Sequence, residues 1–189
     1  MATLSVLVKP ASSSCNLRCK YCFYEDVSEK RENKTNGIML EDTMSLLIDR
    51  IAEGLNQRGQ ANISFQGGEP LLAGISYFQS FIQSFKRYPN IQVHYSIQTN
   101  ATLLTEKFAK LFKENHFLVG ISLDGYQTNM DAYRYDVKKQ GVYYQVLKGI
   151  DYLNQYQVSY NILTYSNITY LITCNMYNSF LAFQNSMKK

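Results

Sequence analysis

The chain has 189 residues, a formal net charge of +4, and 46% hydrophobic against 18% charged residues. That length suits one domain able to bury a sizeable core, and that composition excludes a disordered chain. The mild positive charge is scattered, which reads as a solvated surface and not as a nucleic-acid patch.

Met1 leads straight into Leu4-Ser5-Val6-Leu7-Val8, without a basic leader or a long apolar run, so no secretory signal is expected. Leu4 to Val8 predicts a first strand that enters a loop at Pro10. Three of the four cysteines, Cys15, Cys19 and Cys22, fall in that loop. Clustered thiols without a secretory signal point to a reducing, cytoplasmic compartment, where cysteines serve metals or catalysis more often than disulfides. LEDTMSLLIDRIAEGLNQRG (40–59) carries Met44, Leu47, Ile48, Ile51 and Leu55 at helical spacing. Glu41 and Asp42 occupy its first turn, and Gly59 is expected to close it. NISFQ (62–66) predicts a second strand running into Gly67-Gly68-Glu69-Pro70, followed by a helix with Phe78, Phe81, Ile82 and Phe85 on one face. Ile91 to Gln98 predicts a third strand, and Thr105 is expected to cap a helix carrying Phe108, Leu111 and Phe112. A fourth strand over Phe117–Leu123, a helix over Val142–Leu153 and a fifth strand over Val158–Leu163 complete the alternation. Strands separated by amphipathic helices make an α/β chain with a parallel sheet.

In a parallel sheet, chemistry belongs at the carboxyl ends of the strands. The three cysteines follow strand one, Gly67-Gly68-Glu69-Pro70 follows strand two, Gln98-Thr99-Asn100 ends strand three, and Ser122-Leu123-Asp124-Gly125 ends strand four. All four clusters fall on one edge. For the cysteines, a structural zinc needs four ligands, usually in two separated pairs, whereas only Cys174, His94 and His116 stand apart from the cluster. A thioredoxin-like pair would leave Cys15 without a role. A [4Fe–4S] cluster suits three close thiolates on one loop and leaves one iron open to a ligand.

Cys-x3-Cys-x2-Cys after a first strand, with the aromatic Tyr21 before the last cysteine, resembles the radical S-adenosylmethionine (SAM) superfamily. Lys9-Pro10-Ala11-Ser12-Ser13 with Cys15-Asn16-Leu17-Arg18-Cys19-Lys20-Tyr21-Cys22-Phe23-Tyr24 resembles, within it, the anaerobic sulfatase-maturating enzymes. So do Phe65-Gln66-Gly67-Gly68-Glu69-Pro70, Ile97-Gln98-Thr99-Asn100 and Val119-Gly120-Ile121-Ser122-Leu123-Asp124-Gly125, over about residues 1–164. The resemblance implies a partial (β/α) barrel of parallel strands, truncated after about the fifth. It implies Cys15, Cys19 and Cys22 as ligands of a [4Fe–4S] cluster whose open iron takes SAM. One electron from the cluster then yields a 5′-deoxyadenosyl radical that takes a hydrogen atom from the substrate. Tyr21, Gly67, Gly68, Glu69, Ser122 and Arg134 match SAM-contacting positions, the arginine fork being apt for a carboxylate. Tyr24, Gln66, Gln98 and Asn100 share that edge and are read as substrate contacts.

The implied reaction oxidises a cysteine or serine of an unfolded sulfatase peptide to Cα-formylglycine, with an electron donor such as flavodoxin or ferredoxin and neither nucleic acid nor membrane as partner. The family's catalytic acidic residue and auxiliary clusters fall beyond the resemblance. Other readings stay open: a different radical SAM peptide-modifying enzyme, or an inactive iron–sulfur-binding fragment. Residue by residue, Gly67-Gly68 also reads as a plain turn, Glu69 as a helix-start acid, Ser122 as a strand-end hydroxyl, and Arg134 as a surface partner of Asp131 or Asp136. His94 and His116 read as ordinary structural residues. Residues 165–189 form an atypical tail in this reading, since Tyr152 to Met187 lacks any Asp, Glu, Lys or Arg. The expectation from that composition is an out-of-frame or truncated end, with apolar runs too short for a membrane span.

Overall fold

The computed structural model describes residues 2–165. Five strands, β1 (Thr3–Val8), β2 (Gly59–Phe65), β3 (Ile91–Thr99), β4 (Leu118–Ser122) and β5 (Tyr160–Leu163), form one parallel sheet in the order β1-β2-β3-β4-β5. Sequential order with crossovers of constant hand carries the long connecting helices to the same face. The helices are α1 (Phe23–Glu29), α2 (Glu41–Gly54), α3 (Ile75–Phe85), α4 (Glu106–Glu114), α5 (Gln127–Tyr133) and α6 (Tyr143–Gln155). Among the described residues the sheet does not close, and β1 and β5 are its edges. This is the partial parallel barrel expected from the sequence.

The two sheet faces differ in chemistry, and the side-chain alternation of the strands explains how. On β2, Ala61, Ile63 and Phe65 are buried against the helices, while Asn62 and Ser64 point the other way. On β3, Tyr95 and Ile97 are buried and Ser96 and Gln98 take the opposite face. Phe65 meets Phe78 and Phe81 edge-on at 5.1 and 5.0 Å and lies parallel to Phe117 at 6.2 Å, making it the hub of the core. The opposite face carries cross-strand polar pairs: Asn62 Nδ2 donates to Ser5 Oγ at 3.1 Å, and the Ser64 and Ser96 hydroxyls lie 2.8 Å apart. Parallel sheets covered on both faces are apolar on both. A polar second face is what the inside of an open barrel requires.

Helices pack by the apolar stripes seen in the sequence. α2 buries Met44, Ile48, Ile51 and Ala52; α3 buries Phe78, Phe81 and Phe85, with Ile82 only half-buried; α4 buries Phe108, Leu111 and Phe112. Gly149 lets α6 approach the turn after β3, since a Cβ there would sit 2.4 Å from the Ala101 carbonyl oxygen.

Some local expectations shift. Gly59 does not close α2, which ends at Gly54; Asn56 and Gln57, both left-handed (φ 49° and 57°), make the reversal, and Gly59 opens β2. Thr105 occupies the N-cap position of α4, but its hydroxyl makes no capping bond. α1, α5 and a single 3₁₀ turn at Pro70–Ala73 were not expected, because pieces of one or two turns are too short to show helical periodicity. Among the described residues no helix is long and apolar enough to cross a membrane. The expectation of an atypical tail over 165–189 lies, past Tyr165, outside the described residues.

Candidate functional site

The cysteine loop between β1 and α1 is clamped from two sides. On one, Gly68 N donates to Ser12 O at 3.1 Å and Glu69 N to Ser14 O at 2.8 Å. A Cβ on Gly68 would fall 2.0 Å from the Ser14 oxygen, so only glycine allows that contact. On the other, Arg18 N and Lys20 N donate to the carbonyls of Tyr135 and Tyr133 at 2.8 and 3.0 Å. The three thiols are therefore presented on a loop braced by chain segments far away in sequence.

All three thiols are free and open onto one cavity of about 440 Å³ at the carboxyl ends of the strands. Every candidate from the sequence except Glu69 lines it: Tyr21, Tyr24, Gln66, Gly67, Gly68, Gln98, Asn100, Ser122 and Arg134 stand with the cysteines on its wall. Burial pushes the Cys15 thiol up to about 12 and also raises Cys19, the latter opposed by the neighbouring Arg134. N–H donors approach the sulfurs: Leu17 N lies 3.4 Å and Asn100 Nδ2 3.8 Å from Cys15 Sγ, and Arg134 Nη1 lies 4.0 Å from Cys19 Sγ. Among the described residues, no three His, Cys, Asp or Glu side chains converge as a single ion requires. Three thiolate donors spaced around a roomy cavity, with N–H groups facing their sulfurs, fit a multi-iron cluster instead.

The polar wall is ordered. Gln98 Nε2 donates to Ser122 Oγ at 3.2 Å, and Tyr24 is hydrogen-bonded to Gln66, with Lys9 Nζ 4.9 Å above its ring. Asn100 Nδ2 donates to Asn16 Oδ1 at 3.0 Å, while Asn100 Oδ1 accepts from Thr102 N at 3.0 Å and Thr102 Oγ1 at 2.7 Å. Glu69 sits beneath the wall, fully buried, accepting from Leu71 N (3.0 Å), Thr99 Oγ1 (2.7 Å) and Asn100 N (2.7 Å). Burial pushes its carboxyl up to about 7 against those three donors. It is the tie between the loop after β2 and the end of β3, and the wall places other groups nearer any ligand.

Arg134 pairs with neither Asp131 nor Asp136. Asp131 Oδ1 accepts from the backbone N–H groups of Val142 and Tyr143 at the start of α6, and Asp136 Oδ1 accepts from Lys138 N and Gln140 N. The partner of Arg134 is Asp124, with Nε to Oδ2 at 2.7 Å in a buried pair. Tyr21 Oη also donates to Asp124, and burial together with that bond raises the Tyr21 phenol. Tyr165, on the wall with its ring stacked on Tyr21 at 4.1 Å, and Asp124, buried behind the wall, are residues of the site that the sequence reading missed. The acidic side chain directly after β4 was the available signal for Asp124; nothing local marks Tyr165.

The family model described as the radical SAM superfamily matches residues 10–175. Over 169 residues the chain is 48% identical to a cysteine-type anaerobic sulfatase-maturating enzyme of Clostridium novyi, covering 88% of this chain and 45% of that protein. It is 36% identical to a serine-type anaerobic sulfatase-maturating enzyme of Klebsiella aerogenes, over 84% of this chain and 38% of that protein. Its fold matches the solved structure of native anSMEcpe with bound AdoMet and the Kp18Cys peptide, with a TM-score of 0.78 and 37% identity, over 86% of this chain and 43% of that one. The chain thus spans less than half the length of these relatives. With a matched family model over most of its length, three thiols on one braced loop and an open parallel barrel around them, the chain belongs to the radical SAM superfamily.

Proposed function

We propose that this chain is an oxidoreductase of the sulfatase-maturating type, which converts a cysteine or serine of a sulfatase peptide to Cα-formylglycine. The observation that carries this reading is the single cavity that joins the three free thiols to Arg134, Ser122 and the Gly67–Gly68 turn. Cys15, Cys19 and Cys22 would hold a [4Fe–4S] cluster, each as a thiolate whose charge the irons offset in that buried setting. When bound, the cluster and SAM supply a hydrogen-abstracting 5′-deoxyadenosyl group by one-electron cleavage of the sulfonium. Arg134 and Ser122 stand on the wall to meet carboxylate and hydroxyl groups of SAM, and the aromatic Tyr21 borders the same space. Tyr24, Gln66, Gln98 and Asn100 offer amide and hydroxyl groups suited to a peptide, which by its nature presents N–H and C=O groups in series. An acidic one-electron carrier such as flavodoxin or ferredoxin would supply the reductant. The peptide in the anSMEcpe complex supports this substrate class.

The test is anaerobic reconstitution of the chain with iron and sulfide, then reduction in the presence of SAM and a sulfatase-derived peptide. Release of 5′-deoxyadenosine with formylglycine in the peptide is expected, and Cys19→Ala should abolish both along with the brown colour. Release without formylglycine would favour a different peptide substrate. A cluster that forms with no SAM cleavage would favour an inactive iron–sulfur-binding chain.

A further inference from the structure

We infer that Asp124 is a positioning residue, which sets the aim of Arg134 on the cavity wall and so governs recognition of the ligand carboxylate. This rests on the reading above, that the cavity takes SAM. Asp124 is 1% exposed and does not itself line the cavity, yet its two carboxylate oxygens serve three groups that do. Oδ2 accepts from Arg134 Nε at 2.7 Å and from Tyr21 Oη, while Oδ1 accepts from Arg134 Nη2 at 3.4 Å and from Tyr165 N at 2.9 Å.

An arginine side chain has many rotamers, and a lone guanidinium at a cavity wall would explore them. Here Nε and Nη2 are taken by one carboxylate, so the free edge of the fork, Nη1, is directed toward Cys19 Sγ at 4.0 Å. The backbone fixes both partners. Asn129 Nδ2 donates to Asp124 O at 2.6 Å, and Arg134 N donates to Met130 O at 2.7 Å. Tyr21 completes the arrangement, with the Arg134 guanidinium 5.1 Å over its ring. A carboxylate ligand would therefore meet a guanidinium already fixed in direction, with part of the ordering cost removed before binding.

The test uses the full chain, anaerobically reconstituted, and measures equilibrium binding of SAM against decarboxylated SAM, which lacks the carboxylate. Asp124→Asn should weaken SAM about tenfold or more while leaving the decarboxylated ligand within about twofold. In an Arg134→Ala background the same change should cause no further loss of discrimination between the two ligands, because the carboxylate is read through Arg134. Asp124→Glu keeps the charge but displaces it by a methylene, and should fail to restore SAM affinity. Equal losses for both ligands, additive losses of that discrimination with Arg134→Ala, or full rescue by Asp124→Glu would each overturn the inference. A second measurement needs no cluster: in ¹⁵N-arginine-labelled, metal-free protein, the Arg134 Nε proton should exchange slowly with solvent and lose that protection in Asp124→Glu. Fast exchange in the wild type overturns the inference outright. Slow exchange in a wild-type chain that binds neither ligand overturns the proposed function and leaves the hold of Asp124 on Arg134 standing.

Discussion

Glu69 shows how much a single residue's role depends on what surrounds it. Its carboxylate receives three protein donors, which favour the charged form, yet complete burial outweighs them and lifts its pKa from 4.5 to about 7. The folded chain therefore holds this proton more tightly than the unfolded one. The stability this contributes is fully present below pH 4.5 and is lost as the pH rises through about 7. Glu69→Gln removes the titration and also turns an amide N–H toward the donor Asn100 N. The variant should be less stable than the wild type at low pH, and the gap in melting temperature should narrow as the pH rises from 4.5 to about 7. A gap that widens over that interval would contradict the assignment. The charge on the Arg134–Asp124 pair works the other way: with both partners buried together, neutralising one leaves the other uncompensated, which costs about 3–5 kcal/mol.

At the scale of elements, α6 lacks a capping side chain of its own, since Val142 at its N-cap has none to offer. Asp131, at the far side of the 134–141 loop, supplies the acceptor instead, at 2.8 and 2.9 Å from Val142 N and Tyr143 N. Gly141 makes room for it, as a Cβ there would lie 2.2 Å from the Asp131 carboxyl carbon. Asp131→Ala should lower stability by about 1 kcal/mol, the usual worth of an N-cap. Thermal unfolding of the metal-free chain reads this directly, and an unchanged melting temperature would show that solvent replaces the cap. α1 and α5 form by the same logic of borrowed support. They flank the cysteine loop, which α5's exit segment pins through Tyr133 and Tyr135. Helical periodicity marks α2, α3, α4 and α6 in the sequence because each buries a stripe of large side chains; the short pieces bury too few to be marked.

At the scale of the whole sheet, among the described residues the central strands are paired on both sides and the edges on one. β2 and β3 are joined over seven residue pairs, β4 and β5 over four. Amide hydrogen exchange should accordingly be slowest in β2 and β3 and fastest among strands in β5, where the alternate residues are exposed. Exchange in β5 as slow as in β3 would require a further partner along that edge. The polar second face of the sheet leads from Asn62 and Ser64 up to Gln98 and Ser122, so the barrel interior is continuous with the cavity wall and both belong to water or to ligand.

Chain order and local chemistry were enough to determine the alternation of strands and helices, the edge on which the polar clusters gather, and the cysteine loop. These depend on side-chain period and on spacing along the chain, both of which are local quantities. The partners of Arg134, the burial of Glu69 and the stacking of Tyr165 on Tyr21 were decided only in three dimensions. Glu69 and Tyr165 meet residues that follow other strands, and Arg134 meets Asp124 across the intervening α5. Asp131 and Asp136 lie nearer to Arg134 in sequence than Asp124 does, yet both are claimed by backbone N–H groups of their own loop. Asp124 wins because the end of β4 delivers it, already desolvated, against the guanidinium.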